Sequence, residues 1–129
     1  MLVKSIFINI LNDLTNMKID QSAILSPQLA RETAHLGYLL ARLRQARKVK
    51  QADAALRAGF SRNTAYRLEK GDPGLAIGQV LRYLDAIAPG ATLAGLLTQD
   101  DPALAALQAR ESTKRVRDLT AAELDELNF

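Results

Sequence analysis

Residues 51–70, QADAALRAGFSRNTAYRLEK, constrain the fold of this 129-residue chain more than any other segment. Gly59 can adopt a positive φ and so turn the chain sharply, where a β-carbon would cost about 1 kcal/mol or more. Gln51 can open a short helix before that turn, and Ser61 can cap the following helix with its hydroxyl. Ala55 is small enough to let the two helices touch. The segment therefore predicts two short helices held at a fixed angle.

The second of these helices has an apolar face and a polar face. Ala65 and Leu68 are expected to face the core. The outward face carries Arg62, Asn63, Tyr66 and Arg67. This is the arrangement of the recognition helix of a helix-turn-helix motif, which enters the major groove of DNA. The alternative interpretation is an ordinary helical hairpin in an alanine-rich bundle.

Charge is distributed unevenly along the chain. Residues 42–70 carry nine basic side chains against Asp53 and Glu69, a net charge of +7, whereas the whole chain carries only +3. Residues 100–129 carry seven acidic side chains against four basic ones. A basic block inside a helix-turn-helix, separated from an acidic tail, is the electrostatic footprint expected of a surface that binds duplex DNA. The charge distribution therefore favours DNA binding over the plain hairpin.

Composition excludes several classes of function. The chain has no cysteine, which excludes disulfides, thiolate catalysis and cysteine-based zinc sites and is compatible with a reducing cytoplasm. His35 is the single histidine, and we expect it on the surface of the first domain helix rather than in a metal or catalytic site. A hydrophobic content of 48% is enough for a compact core. We therefore expect a non-enzymatic protein without cofactor or metal, located in the cytoplasm at the nucleoid.

Residues 1–26 are expected to be an extension and a polar linker. The apolar start, MLVKSIFINIL, is too short for a membrane span and lacks the small-residue cleavage site of a signal peptide. Its period is ambiguous. Strand-like alternation occurs at Ile6, Ile8 and Ile10, and helical spacing at Val3, Phe7, Ile10 and Leu14. The segment is either an arm that pairs with another subunit or an upstream extension of no function, since Met17 can equally serve as a start.

Residues 27–98 are expected to form an all-α domain of five helices. Ser26 and Pro27 signal the start of a long first helix that reaches about Lys48. Its apolar stripe consists of Leu29, Thr33, Leu36, Leu40 and Leu43. The second and third helices are those of the segment 51–70.

Turn signals separate the last two helices of the domain. Asp72-Pro73-Gly74-Leu75 suits a type II turn, with glycine at its third position. The fourth helix then spans about 76–88 and stops at Pro89-Gly90. Its expected core side chains are Ile77, Val80, Leu81, Leu84 and Ile87. Thr92 can cap a short fifth helix, whose apolar side chains are Leu93, Leu96 and Leu97.

Residues 99–129 are expected to form a helical tail. A helix starts at Asp101-Pro102, with Glu111 and Arg115 at a favourable i,i+4 spacing. Thr120 and Glu123 indicate a capping box for a separate last helix. That helix would present Leu124, Leu127 and Phe129. Such a tail docks in a partner groove or folds back on its own domain. If it serves a partner, a chain ending near Thr98 should keep its fold.

The segment 51–70 and its flanks, roughly residues 35–90, resemble the lambda-repressor-like (XRE) family of helix-turn-helix proteins. The resemblance implies that Gln51 contacts phosphate and braces the recognition helix. It implies base contacts from Arg62, Asn63 and Arg67, because arginine pairs well with guanine and asparagine with adenine. Phosphate contacts would come from Ser61, Arg44 and Lys48, and Tyr66 would reach a sugar, a phosphate or a thymine methyl. One departure is Ala65, where the family usually has valine or isoleucine.

A narrower resemblance rests on GDPGLAIGQVLRYLDAI and on KRVR followed by an acidic tail ending in Asn-Phe. These features are similar to HipB-like regulators, antitoxins often encoded beside a HipA-type kinase toxin. The resemblance implies a homodimeric repressor that binds double-stranded operator DNA and a kinase-like toxin, with no membrane partner. The alternatives are a free-standing phage-like or metabolic regulator without a toxin, and an interaction module whose basic face meets RNA or an acidic protein.

Overall fold

The computed structural model describes the backbone of residues 2–16 and 19–127, and the side chains of residues 3–10 and 19–114. Every regular element in these ranges is a helix, which confirms the all-α fold. The helices are α1 (Leu2–Asn16), α2 (Gln21–Ile24), α3 (Pro27–Ala46), α4 (Gln51–Ala58), α5 (Arg62–Glu69), α6 (Ile77–Ile87), α7 (Leu93–Thr98) and α8 (Pro102–Leu127). The five domain helices expected from the sequence are α3 to α7.

Helix α3 is the long element against which α5, α6, α7 and α8 pack. It begins as expected, with the Ser26 hydroxyl accepting a hydrogen bond from the Leu29 amide at 3.3 Å and proline in the first turn. Within the predicted apolar stripe, Leu40 and Leu43 are buried, but Leu29 is 50% exposed. Leu39 is buried instead, because a helix contacted by several others buries more than one narrow stripe.

The turn between α4 and α5 has the expected geometry. Gly59 adopts a φ of 81° and ends α4, and the Ser61 hydroxyl accepts a hydrogen bond from the Thr64 amide at 3.2 Å to cap α5. Ala55, Ala65 and Leu68 are all buried, as predicted. Local signals in the sequence thus place α5 and orient its apolar face toward the core.

The connection from α5 to α6 differs from the predicted type II turn. Such a turn needs a positive φ at its third position, and Gly74 does not have one. The positive φ, 77°, belongs to Gly71. The Asp72 carboxylate then accepts a hydrogen bond from the Gly74 amide at 2.8 Å and shapes the loop. Gly71 also lies against α3, because a β-carbon added at Gly37 would come within 2.5 Å of the Gly71 amide nitrogen.

Helix α6 buries a different face from the one expected. Val80, Leu84 and Ile87 are in the core as predicted, but Ile77 and Leu81 are 62% and 44% exposed. The fully buried Tyr83 extends the buried stripe on one side, whereas Ile77 and Leu81 lie about 20° and 60° beyond Leu84 at its other edge. The helix ends before Pro89-Gly90, as predicted.

Helices α7 and α8 complete the core. The Thr92 hydroxyl caps α7 by accepting a hydrogen bond from the Gly95 amide at 3.0 Å, as expected. Leu96 from α7 and Leu104 from α8 are both buried, so the first turns of α8 fold back on the domain. The backbone of α8 runs unbroken to Leu127, so the prediction of a separate last helix was wrong.

The proposed partner-binding residues of the tail cannot be placed in this fold. The described side chains do not include those of Leu124 and Leu127, and Phe129 lies outside the described residues. The same holds for the side chains of Arg115, Thr120 and Glu123.

The N-terminal segment is helical rather than extended. Helix α1 covers Leu2–Asn16, and all of its described side chains, residues 3–10, are exposed. The expected polar linker contains the short helix α2, which is capped by the Asp20 carboxylate. Met17 lies outside the described residues. Across the described part of the chain, no helix combines the length and the apolar character needed to cross a bilayer.

Candidate nucleic-acid interface

The outward face of α5 carries the four side chains that the sequence singled out. Arg62, Asn63, Tyr66 and Arg67 are all exposed. Among the described residues, Arg62 and Asn63 have no hydrogen-bond or ion-pair partner, so their donors and acceptors are available to a ligand. Tyr66 is 51% exposed, and the Lys70 ammonium lies 5.5 Å from the centre of its ring. The face therefore combines two cations, an amide and an aromatic ring.

The inward side of α5 is held by its last residue, Glu69. Arg44 of α3 donates two hydrogen bonds to the Glu69 carboxylate, the one from Nη2 at 3.2 Å. Gln51 of α4 donates one from Nε2 at 2.8 Å, and the Tyr83 hydroxyl of α6 donates one at 2.6 Å. Three different helices thus fix the end of α5 and limit its rotation about its own axis.

This cluster changes the acid–base properties of its members. The hydrogen bond to Glu69 raises the pKa of Arg44, which therefore stays charged. Burial raises the pKa of the Tyr83 hydroxyl, and its hydrogen bond to Glu69 adds to this effect. Tyr83 is consequently a neutral donor to a carboxylate already paired with a guanidinium. Arg44 and Tyr83 therefore both keep the protons that they donate to Glu69 at neutral pH.

Arg44, which the resemblance placed on a phosphate, lies inside the domain instead. Its side chain is only 14% exposed, and its Nη1 also donates to the Val49 carbonyl at 2.9 Å. A guanidinium committed to Glu69 and to a backbone carbonyl braces α5 from behind and does not face solvent. We therefore remove Arg44 from the candidate phosphate contacts.

The other candidate residues lie near the ends of α4 and α5. Gln51 is half-buried and braces Glu69, which is one of the two roles that the resemblance implied. Lys48 is exposed and adopts a positive φ of 58° just after α3. Ser61 is exposed, although its hydroxyl already accepts from the Thr64 amide. Lys48 and Ser61 are therefore accessible to a phosphate.

Arg67 is exposed, but it already forms an ion pair within the chain. Its Nε donates to the Asp72 carboxylate at 2.8 Å, and the side chain is 44% exposed. The hydrogen bond from the Gly74 amide lowers the pKa of the Asp72 carboxyl, and the hydrogen bond from Arg67 lowers it further. Since a guanidinium has five N–H donors, this ion pair orients Arg67 and leaves donors for a base.

The basic block of residues 42–70 is less positive in the fold than in the sequence. Four of its nine basic side chains form ion pairs: Arg42–Glu111, Arg44–Glu69, Arg47–Asp101 and Arg67–Asp72. Glu111 and Asp101 belong to the C-terminal part, so the expected separation of the basic block from the acidic tail does not hold there. The other five basic side chains of this block are exposed and have no ion pair within the described part of the chain: Lys48, Lys50, Arg57, Arg62 and Lys70.

Arg82 of α6 is a candidate interface residue that the sequence did not predict. Its guanidinium lies 5.6 Å from the centre of the Phe60 ring, so it sits beside the turn that precedes α5. The side chain is exposed. Arg82 lies outside the basic block of the sequence, and only the packing of α6 against α4 places its charge next to the helix-turn-helix.

The remaining polar candidate, His35, is exposed and lies 6.4 Å from the ring of Tyr38, consistent with the surface position predicted for it. No group of histidine, cysteine or acidic residues suited to a metal ion occurs among the described residues.

Comparison with known protein families identifies a domain in the same region of the chain. Residues 35–94 match the model of a family described as a helix-turn-helix domain. Neither the curated proteins nor the solved structures give a match to the chain. The geometry of α4, Gly59 and α5 and this match agree on one conclusion: the chain carries a helix-turn-helix domain, which supports a DNA-binding protein.

Proposed function

We propose that this protein is a transcriptional repressor that binds specific duplex DNA with α5 in the major groove. The observation that carries the proposal is the contrast between the two sides of α5. Arg62, Asn63, Tyr66 and Arg67 face solvent, while Glu69 on the other side is held by three helices. Base recognition needs such a rigid support, because hydrogen bonds to base edges depend strongly on direction.

Each residue then has a proposed role. Arg62 and Arg67 suit guanine, and Asn63 suits adenine. Lys48, Lys50 and Ser61 suit phosphates, and Gln51 combines a phosphate contact with its bond to Glu69. Tyr66 reaches a sugar, a phosphate or a thymine methyl.

A titration of duplex and single-stranded DNA at two salt concentrations tests the proposal. Affinity for duplex should fall steeply with salt, because the basic side chains displace counterions from phosphates. Selection from a random duplex pool should enrich an inverted repeat whose half-sites lie about 10–10.5 bp apart, or a multiple of this, if the protein acts as a homodimer. Equal affinity for single strands, with no enriched repeat, would contradict the proposal and favour a non-DNA interaction module.

We further propose the antitoxin role, in which the protein also binds a kinase-like toxin and represses its own operon. What supports it is the resemblance of residues 71–87 to HipB-like regulators and the length of α8, which continues past the last described core contact. Co-expression with the neighbouring gene tests it. Copurification of a kinase-like product is the expected result, and its absence would favour a free-standing regulator.

A further inference from the structure

We propose that α1 is a self-association helix that pairs with α1 of a second copy of this chain. The proposal rests on the proposed function, because it concerns two copies on one operator. Val3, Ile6, Phe7 and Ile10 are 78%, 56%, 62% and 51% exposed. Four large apolar side chains exposed on one short helix form a patch of the kind that marks an interaction surface.

The spacing of these residues is that of a helix–helix seam. Val3, Phe7 and Ile10 are separated by four and then three positions, which is the heptad spacing of paired helices. At about 100° per residue, these three side chains fall within a sector of about 60°. Ile6 flanks that sector. Ile8 lies about 130° from its centre, on the side that also carries Ser5 and Asn9.

The charge of α1 is compatible with a second copy as its partner. Residues 2–16 contain only Lys4 and Asp13 as charged side chains, so two copies of the helix do not repel each other. A heptad seam is self-complementary by nature, since both helices offer the same knobs and holes.

The area available indicates a weak pair. Burying an apolar side chain removes about 60–120 Å² from water, so four from each copy give about 500–1,000 Å² in total. That is below the area of a stable protein–protein interface, which is about 1,200–2,000 Å². Pairing of α1 is therefore partial in concentrated protein without DNA and becomes extensive when DNA holds two copies close together, because this raises their effective concentration.

The length of the linker permits this arrangement. Ten residues, 17–26, separate α1 from α3, and four of them form α2. Six extended residues and one helical turn reach at most about 26 Å per copy. Two such linkers exceed the distance of about 34–36 Å between adjacent half-sites.

Chemical cross-linking tests the pairing without DNA. The chain has no cysteine, so Ile10→Cys introduces a single thiol on the seam and Ile8→Cys a matched thiol of similar exposure on the other side. With a short bis-maleimide, the Ile10→Cys protein should give several-fold more cross-linked dimer than the Ile8→Cys protein. Equal yields would overturn the proposal.

A second pair of variants separates self-association from packing inside one chain. At high protein concentration, Ile10→Asp should shift the sedimentation equilibrium of the full chain toward monomer, and Ile8→Asp should not. Thermal unfolding of a dilute sample should be the same for both variants. A lower melting temperature for Ile10→Asp alone would show that the seam covers the chain's own domain and would overturn the proposal.

Comparing affinities for duplexes with one and with two half-sites separates the role of α1 from DNA binding itself. Ile10→Asp should reduce affinity for a two-half-site duplex at least tenfold relative to Ile8→Asp and leave affinity for a single half-site unchanged. Equal affinity of both variants for the two-half-site duplex would overturn the role of α1. Failure of the unaltered chain to bind any duplex would instead overturn the proposed function, and cross-linking would still decide whether α1 pairs.

Discussion

At the scale of single residues, the proposed interface depends on which charges are free and which are committed. Arg44 and Arg62 illustrate the difference. Arg44 is paired with Glu69 and 14% exposed, whereas Arg62 is exposed and has no ion pair within the described chain. A basic side chain contributes to recognition only if it is not already neutralised, so the position of its nearest carboxylate decides its role.

The Glu69 cluster should matter for stability. Glu69→Gln keeps the shape of the side chain but leaves the half-buried Arg44 without its counter-ion. We expect a loss of about 2–3 kcal/mol in the free energy of unfolding, less than the roughly 3–5 kcal/mol of a fully buried pair. Urea denaturation measures this loss. Arg67→Gln is the control, since the Arg67–Asp72 pair is exposed and should contribute about 0–1 kcal/mol. Equal losses for the two variants would show that Glu69 does not brace the domain.

Specificity and general affinity should separate by residue. Replacing Arg62, Asn63 or Arg67 by alanine should cost roughly 1–3 kcal/mol on the operator and little on random duplex. Replacing Lys48 or Lys50 should weaken binding to both by similar amounts. Fluorescence anisotropy on the two duplexes measures the difference. A uniform loss across all five variants would mean that α5 does not read bases.

At the scale of elements, contacts between helices set the position of α5 and α8. Two glycines, Gly37 and Gly71, let the end of α5 approach α3. Two ion pairs, Arg42–Glu111 at 2.6 Å and Arg47–Asp101 at 2.6 Å, attach α8 to α3. The helix-turn-helix is thus held on one side by close backbone packing, and α8 is held by charge and by Leu104.

Because Gly71 is closely packed, replacing it by alanine should destabilise the fold far more than the same replacement at another glycine of similar φ. Gly71 has a φ of 77°, and a β-carbon there would overlap the Thr33 carbonyl. Gly90 has a φ of 81°, with open space where its β-carbon would lie. We expect Gly90→Ala to cost about 1 kcal/mol from backbone strain alone and Gly71→Ala about 2–4 kcal/mol. Similar melting temperatures for the two variants would contradict the close approach of α3 and the loop.

The attachment of α8 should depend on pH. Burial opposes ionisation of Asp101, but hydrogen bonds from Arg47 and from the Ala103 amide outweigh it and lower the pKa of this carboxyl. A lowered pKa stabilises the fold above the unfolded value of about 3.9 and loses that contribution as pH falls through the folded pKa. Acidification from pH 6 to pH 3 should therefore lower the melting temperature more in the unaltered chain than in Asp101→Asn. Parallel pH profiles would exclude this contribution.

At the scale of the whole molecule, the tail is partly core and partly extension. Leu104 is 6% exposed and belongs to the hydrophobic core, and Leu107 packs against that core. The domain boundary predicted at residue 98 therefore lies before Leu104 and Leu107, which still contact the core. A better division for experiments lies after residue 114, because Glu111, which pairs with Arg42 of α3, then stays with the domain.

Truncation at two places should separate folding from partner binding. A chain ending at Thr98 loses Leu104 and the partners of Arg42 and Arg47, and it should lose about 2–5 kcal/mol of stability from the leucine alone. A chain ending at Lys114 should keep its helical domain, its cooperative melting and its binding to the operator, but fail to copurify the proposed toxin. Circular dichroism and copurification measure these properties. Retained toxin binding would place the partner surface outside 115–129.

The sequence by itself determined the features that depend on a few neighbouring residues. The cap at Ser61, the left-handed Gly59, the cap at Thr92 and the end of α6 before Pro89 all involve contacts within about four positions, which the chain makes wherever the helix lies. The outward set on α5 follows from the same local period, because the buried side of a short helix fixes its exposed side.

Only the tertiary structure decided which charges meet and which apolar faces are covered. Arg44 and Glu69 are 25 positions apart, and Arg42 and Glu111 are 69 apart, so their pairing depends on how the helices cross. The exposure of Leu29, Ile77 and Leu81 has the same origin, since an apolar side chain is buried only where another element covers it. Local patterns specify helices and their ends, but crossing angles arise from all contacts together.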